Sequence, residues 1–191
     1  MCGAELHTRT QAAWAVLAEV PDPEVPAISV CDLGIVRDVE MAHDGQLTVV
    51  LTPTYSGCPA TEVITESVLA ALDAAGLGPA LVRMQRAPAW TTDWISPAGR
   101  DKLRAYGIAP PGPVGGEVRV PMHLVGGLAQ SAARSVDVRL GSLGAAPASA
   151  LACPRCDSTN TERLSAFGST ACKALYRCLS CREPFEHFKP I

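Results

Sequence analysis

Residues 47–75 read LTVVLTPTYSGCPATEVITESVLAALDAA, which is a β-rich run, a short turn and an apolar helical pattern. Pro59 suits the first turn of that helix because its missing N–H leaves no hydrogen bond unmade there. Cys58 is therefore expected at or beside the N-cap, where free backbone N–H groups and the helix dipole favour a thiolate. Such a thiolate serves as a nucleophile or a soft-metal ligand. The alternative is a small apolar side chain in a strand-to-helix turn.

The sequence around this unit predicts three helices and three strands in the order α-β-β-α-β-α. Thr8 or Thr10 is a candidate cap for the first helix, an Asp-Gly turn joins the first two strands, and Ser96 caps the last helix. We predict an α+β fold with a small mixed or antiparallel three-stranded sheet. The predicted helices are 8–20, 60–75 and 97–106, the strands are 35–41, 47–52 and 80–86, and the apolar face of the second helix comprises Val63, Ile64, Val68, Leu69, Leu72 and Ala75.

Two C-x-x-C pairs near the end of the chain have the spacing of a metal site. Cys153–Cys156 and Cys178–Cys181 are separated by 21 residues, and two such pairs converge on one tetrahedral four-sulfur site. A segment of about 40 residues buries too little surface to fold easily on its own, so the metal would supply much of its stability. We predict a zinc ribbon over 150–191 with its own core, separate from that of 8–111. An iron or iron–sulfur centre and a redox dithiol are the alternatives.

Residues 112–149 have a different composition from either flank. With Pro111, they contain eleven Gly or Pro in 39 positions and no cysteine or aromatic residue. Such a stretch supplies little core, so we predict a linker or a loosely packed excursion. Short strands over 118–120 and 136–140 are the regular elements that its pattern suggests.

Composition excludes some functions. The net charge of −3 gives no basic footprint for nucleic acid. No apolar stretch approaches the ~20 residues that a membrane span requires, and the first residues lack the apolar core of a signal peptide. Eight cysteines in such a chain indicate metal or thiol chemistry in a reducing compartment. We therefore expect a cytoplasmic protein that binds neither nucleic acid nor membrane.

Several polar side chains and one further thiol are candidate site residues. Asp22 and Glu24 flank a proline. They either bind metal or orient a thiol, or, as local patterns favour, they cap a helix or a turn. Thr52 and Thr54 either hydrogen-bond the Cys58 thiolate or a ligand or are merely strand formers. Cys172 is either a spare buried thiol or a second thiol that handles a metal. No nucleotide-binding loop or hydrolase motif is present in the sequence.

Four short motifs together resemble the MIP18-like (DUF59, SufT-type) iron–sulfur assembly domain. The tail 167–178, FGSTACKALYRC, is similar to the zinc-ribbon tail of the PaaD family of phenylacetate degradation. The resemblance covers about 8–111 and 150–191. The motifs are Asp22-Pro23-Glu24, Asp32-Leu33-Gly34, Thr52-x-Thr54 and Gly57-Cys58-Pro59.

This resemblance implies a non-enzymatic accessory protein of the phenylacetyl-CoA ring 1,2-epoxidase, which matures or maintains the metal centres of that system. Cys58 is the functional thiol that the family implies, holding iron or an iron–sulfur cluster transiently, while the ribbon holds structural zinc. The implied partners are the oxygenase and reductase components, and a homodimer is also open. Two rival hypotheses are a structural subunit that docks through the ribbon and a thiol-redox enzyme that uses Cys58.

Overall fold

The computed structural model describes residues 3–42, 44–55, 57–112 and 151–191, and for residues 3–7 the backbone alone. We call residues 3–112 the N-terminal module and residues 151–191 the ribbon. The predictions for 112–149, a linker with short strands at 118–120 and 136–140, lie outside the described residues from 113 onward. No helix in the described ranges is long and apolar enough to cross a membrane.

The N-terminal module has the predicted order of helices and strands. Strand β1 pairs antiparallel with β2, and β2 pairs parallel with β3, so the three-stranded sheet is mixed, in the order β1-β2-β3. A 3₁₀ turn, Thr92–Trp94, precedes the last helix. The elements are α1 (Gly3–Ala18), β1 (Val36–Met41), β2 (Leu47–Leu51), α2 (Ala60–Ala74), β3 (Ala80–Met84), α3 (Pro97–Tyr106) and β4 (Ile108–Ala109).

Helix α3 shows how local sequence sets an element's ends. The Ser96 hydroxyl accepts the Gly99 N–H at 2.9 Å, and Gly107 ends the helix with φ at 97°, a conformation that favours glycine. Asp32 fixes the start of the helix to the loop before β1, since its carboxylate accepts hydrogen bonds from the Ser96 hydroxyl at 2.9 Å and the Lys102 ammonium at 2.6 Å. The predicted cap and stop are confirmed.

Two details of the helix predictions are wrong. Helix α1 begins at Gly3, so Thr8 and Thr10 lie inside it and do not cap it; the preceding residues include good helix formers that extend it toward the N-terminus. Val63 is 49% exposed. The buried face of α2 follows the four-residue spacing of Ile64, Val68 and Leu72, and Val63 lies one position off that row.

The ribbon is a three-stranded antiparallel sheet extended by a strand from the N-terminal module. Its strands are β5 (Thr161–Ser165), β6 (Lys173–Cys178) and β7 (Pro184–Phe188). The short β4, which directly follows α3, pairs parallel with β7, so the four strands run in the order β4-β7-β6-β5. The two modules therefore share a sheet.

The expectation of separate cores is wrong. Cys172 and Phe188 of the ribbon belong to the same buried cluster as Leu17 and Val68 of the N-terminal module. The Phe188 ring lies 6.0 Å from the Trp90 ring, centroid to centroid. The ribbon's own second cluster contains few residues beyond two metal-site cysteines. A unit of this size buries little by itself, so one face of it packs on the larger module.

Candidate metal and thiol sites

The four cysteines of the two C-x-x-C pairs form a preassembled metal site. Their sulfur atoms all lie within 4.8 Å of one another. The Cys153 and Cys181 sulfurs are 3.8 Å apart, and those of Cys156 and Cys178 are 3.6 Å apart. A tetrahedron with zinc–sulfur bonds of ~2.3 Å has edges of roughly 3.8 Å. The donor set and its dimensions therefore fit a four-thiolate metal site.

The two pairs are built in the same way. In each, the first cysteine's carbonyl accepts the N–H of the residue after the second cysteine, Asp157 or Arg182, at 3.0 Å. Both of those residues have positive φ, 60° and 70°, which is uncommon outside glycine. The Cys178 sulfur also accepts the Cys181 N–H at 3.4 Å, and this bond lowers the pKa of the Cys178 thiol. Matching turns of this kind aim thiolates at one ion.

Cys58 lies where it was expected, at the start of α2. Pro59 has helical angles, φ −66° and ψ −22°, and no side chain caps the helix. The Cys58 carbonyl accepts the Thr61 N–H at 3.2 Å. The thiol residue is 9% exposed and lines a pocket between the sheet, α2 and the ribbon. We call this the Cys58 pocket.

The acidic pair on the proline loop faces the same pocket. Asp22 also caps its turn, because one carboxylate oxygen accepts the N–H groups of Glu24 at 3.0 Å and Val25 at 2.8 Å. Burial raises the pKa of the Asp22 carboxyl more than these bonds lower it. Burial, followed by the nearby Asp22 charge, raises the pKa of Glu24. The loop thus has a turn-capping role and also presents two carboxyl groups to the thiol's pocket.

The two threonines before Cys58 take different positions. Thr54 lines the Cys58 pocket. Thr52 is 1% exposed, and its hydroxyl has no hydrogen-bond partner in the part of the chain that the structure describes. Thr52 does not line the pocket. The structure therefore brings Thr54, but not Thr52, to the thiol's site.

Cys172 reaches the Cys58 pocket from the ribbon. It is 4% exposed and lines the pocket together with Phe188. Its sulfur lies 3.0 Å from the Thr170 hydroxyl, and burial raises the pKa of its thiol. The ribbon thus contributes part of the pocket wall.

Two residues of this region were not predicted from the sequence. Lys173 is 2% exposed, although it is a lysine, and its ammonium lies 3.0 Å from the Glu186 carboxylate. Phe188 lines the Cys58 pocket. A signal for Lys173 was its position directly after Cys172. Phe188 gave none, because its role depends on the docking of the ribbon.

The fold and these two sites define the class of protein: a small α+β domain joined to a four-cysteine ribbon. Residues 10–80 match the family described as "Iron-sulfur cluster assembly protein". Residues 142–189 match the family described as "PaaD zinc beta ribbon domain".

Whole-chain comparison gives the particular family. The chain is 44% identical to an Escherichia coli protein named as a subunit of a "Putative 1,2-phenylacetyl-CoA epoxidase", over 93% of this chain and 91% of that one. It therefore belongs to the family of that protein, the PaaD family.

More distant comparisons concern the N-terminal module. A Porphyromonas gingivalis "Fe-S protein maturation auxiliary factor" is 34% identical over 42% of this chain and 77% of its own length. The crystal structure of a Bacillus anthracis DUF59 domain of unknown function is 23% identical, covering 53% of this chain and 97% of that one, with a TM-score of 0.49.

Proposed function

We propose that the chain is a non-catalytic factor that assembles or maintains the iron–sulfur or other metal centres of a phenylacetyl-CoA epoxidase. The observation that carries the proposal is the Cys58 pocket, where a buried thiol at a helix start faces the carboxyl groups of Asp22 and Glu24. The maturation role named for the Porphyromonas relative and the epoxidase named for the Escherichia coli relative support the activity and the client. The proposed partners are the oxygenase and reductase components.

In this proposal iron, alone or in a cluster, is the cargo and Cys58 is its principal ligand. The Cys58 sulfur lies in a pocket that it shares with two carboxyl groups, and sulfur together with carboxylate oxygen binds soft or borderline metal ions. Binding releases the thiol proton to solvent, and after transfer of the ion to a client the freed thiolate takes up a proton again. One or two thiolates release an ion more readily than four, so the pocket suits delivery and the ribbon site suits permanent binding.

We further infer that the ribbon metal is structural zinc held by Cys153, Cys156, Cys178 and Cys181. Four thiolates in tetrahedral array are the donor set of structural zinc sites, and zinc supplies folding energy there without redox chemistry. The proposed functional unit comprises 8–111 and 150–191. Elemental analysis of natively purified protein should find one zinc per chain; iron in its place would contradict this assignment.

Replacement of Cys58 tests the proposed function. Cys58→Ser keeps the size and polarity of the side chain and removes a soft-metal ligand. We expect epoxidase components produced together with this variant to contain less iron and sulfide, while their amounts and the variant's zinc content stay normal. Cys31→Ser is the matched control, since Cys31 is a partly buried thiol of the same module that does not line the Cys58 pocket.

The same experiment separates the rival functions. Normal iron and sulfide with lost epoxidation would favour a docking role in the oxygenase complex. Full epoxidation with normal metal content would remove Cys58 from the mechanism. A thiol-redox role predicts that Cys58→Ser loses thiol–disulfide exchange with a partner dithiol while the metal content of the components is unchanged.

A further inference from the structure

The ribbon supplies a second thiol to the Cys58 pocket. Cys172 directly precedes β6, and the opposite end of that strand is the metal-site residue Cys178. The Cys172 carbonyl accepts the Lys189 N–H at 2.9 Å, which ties it to the residue after β7. The position of Cys172 is therefore set by the ribbon's own fold.

We propose that Cys58 and Cys172, with the carboxylate of Glu24, bind a single divalent transition-metal ion of the iron(II) type. This proposal rests on the proposed function and names its cargo. Thiolate and carboxylate ligands together suit borderline ions such as Fe²⁺ and Co²⁺. Asp22 already accepts two hydrogen bonds through one oxygen, whereas Glu24 accepts none from the residues that the structure describes. Both oxygens of Glu24 are therefore left to bind an ion, against one oxygen of Asp22.

The enclosed space in the pocket suits a single ion. Its volume is about 20 Å³, and a single water needs roughly 10–15 Å³. One ion with a water ligand is of this size.

The charges around the pocket also favour a cation. Two carboxyl groups and two thiols lie on its walls, those of Asp22, Glu24, Cys58 and Cys172. The neighbouring cation, Lys173, is paired with Glu186 at 3.0 Å. A bound divalent ion would compensate the charge that burial makes costly.

The pocket differs from the ribbon site in how far its ligands are preassembled. Among the described residues, the four ribbon cysteines are the group whose ligand atoms all lie within 4.8 Å of one another. The pocket donors have to close around their ion. Part of the binding energy is spent on that closure, so the ion exchanges more easily than the ribbon metal.

Cobalt(II) binding to the zinc-loaded full-length chain tests the site without any partner. Thiolate-to-cobalt charge-transfer absorption reports how many sulfurs bind the ion, and zinc analysis reports the state of the ribbon. We expect one Co²⁺ per chain with zinc retained. Cys172→Ser should lose about half of that absorption and bind roughly tenfold or more weakly, since even indirect ligand changes cost about 10–100-fold. Cys31→Ser should bind as the wild type does.

Each result bears on one of the two proposals. Wild-type binding by Cys172→Ser and Cys172→Ala, with loss in Cys58→Ser, would overturn the two-module site and leave the proposed function standing. Absence of Co²⁺ binding, or one-for-one displacement of zinc with no further ion bound, would also overturn it. Cys172→Ala is included because a buried serine could disturb folding. Retained zinc and an unchanged tryptophan fluorescence show that each variant is folded. The proposed function fails separately, if Cys58→Ser leaves the metal content of the epoxidase components unchanged.

Discussion

Replacing Phe188 with alanine tests whether the ribbon and the N-terminal module are one cooperative unit. Phe188 is 2% exposed and contacts the Trp90 ring. Removing a fully buried phenylalanine costs about 3–5 kcal/mol, from lost burial and the cavity left behind. With a urea m-value of about 2 kcal/mol per M, the unfolding midpoint should fall by roughly 1.5–2.5 M.

Two probes follow the two modules in this experiment. All three tryptophans lie in the N-terminal module, so their fluorescence reports its unfolding. Release of the ribbon metal, proposed to be zinc, to a chromogenic chelator reports the unfolding of the ribbon. Because Phe188 belongs to the common core, both transitions should move together to lower urea. Chelation of zinc before the titration should likewise lower the midpoint of the fluorescence transition.

Phe167→Ala is the matched control. Its ring is 64% exposed and lies 4.7 Å from the Lys189 ammonium, an exposed contact worth about 0.5–1 kcal/mol. The midpoint should therefore shift by at most roughly 0.5 M. If Phe188→Ala releases zinc early but leaves the fluorescence transition of the wild type unchanged, the reasoning from a shared core is refuted.

Three further predictions concern individual positions. Gly34→Ala should destabilise the fold by roughly 2–4 kcal/mol, because Gly34 has a positive φ and an added Cβ would lie only 2.7 Å from a backbone oxygen. Gly57→Ala is the control: Gly57 also has a positive φ but open space around it, so the cost should be ~1–2 kcal/mol. Equal urea midpoints for the two variants would contradict this. Asp22→Asn should raise stability at neutral pH and weaken Co²⁺ binding. Because the pKa of Asp22 is raised, its ionisation costs stability as the pH rises from the ordinary pKa through the raised one. The variant's stability advantage should therefore vanish on acidification, and an advantage that persists at low pH would speak against this reason. Burial alone would raise the pKa of Asp32, but the hydrogen bonds that its carboxylate accepts, first that from Lys102, hold this pKa below the ordinary value. The stability that ionised Asp32 provides should therefore be lost as the pH falls through the lowered pKa. Acid titration of Asp32→Asn should accordingly show a shallower loss of stability than the wild type.

Local chemistry explains which predictions from the sequence succeeded. The spacing of the paired cysteines specifies the ribbon site because each pair is a turn of a few residues. The position of Cys58 follows from a strand, a turn and Pro59, all within a short stretch. Both features need only neighbours in the sequence.

The features that the sequence left undetermined depend on contacts between distant segments. Cys172 reaches the Cys58 pocket because β4 pairs with β7 and Phe188 packs near Trp90. No periodicity in either segment encodes that docking. The exposure of Val63 likewise depends on which face of α2 meets the sheet.

The positions of the ribbon cysteines and of the proposed pocket site argue for a division of labour. Cys172 and Cys178 are six residues apart along an extended segment, which spans roughly 20 Å at ~3.3 Å per residue. At that distance an ion in the ribbon could not pass directly to the Cys58 pocket. On the proposed assignments the strand would transmit position instead: metal bound at Cys178 would order β6, and an ordered β6 would hold Cys172 against the pocket. By thermodynamic linkage, an ion in the pocket must then strengthen zinc binding by the same factor by which zinc strengthens binding of that ion.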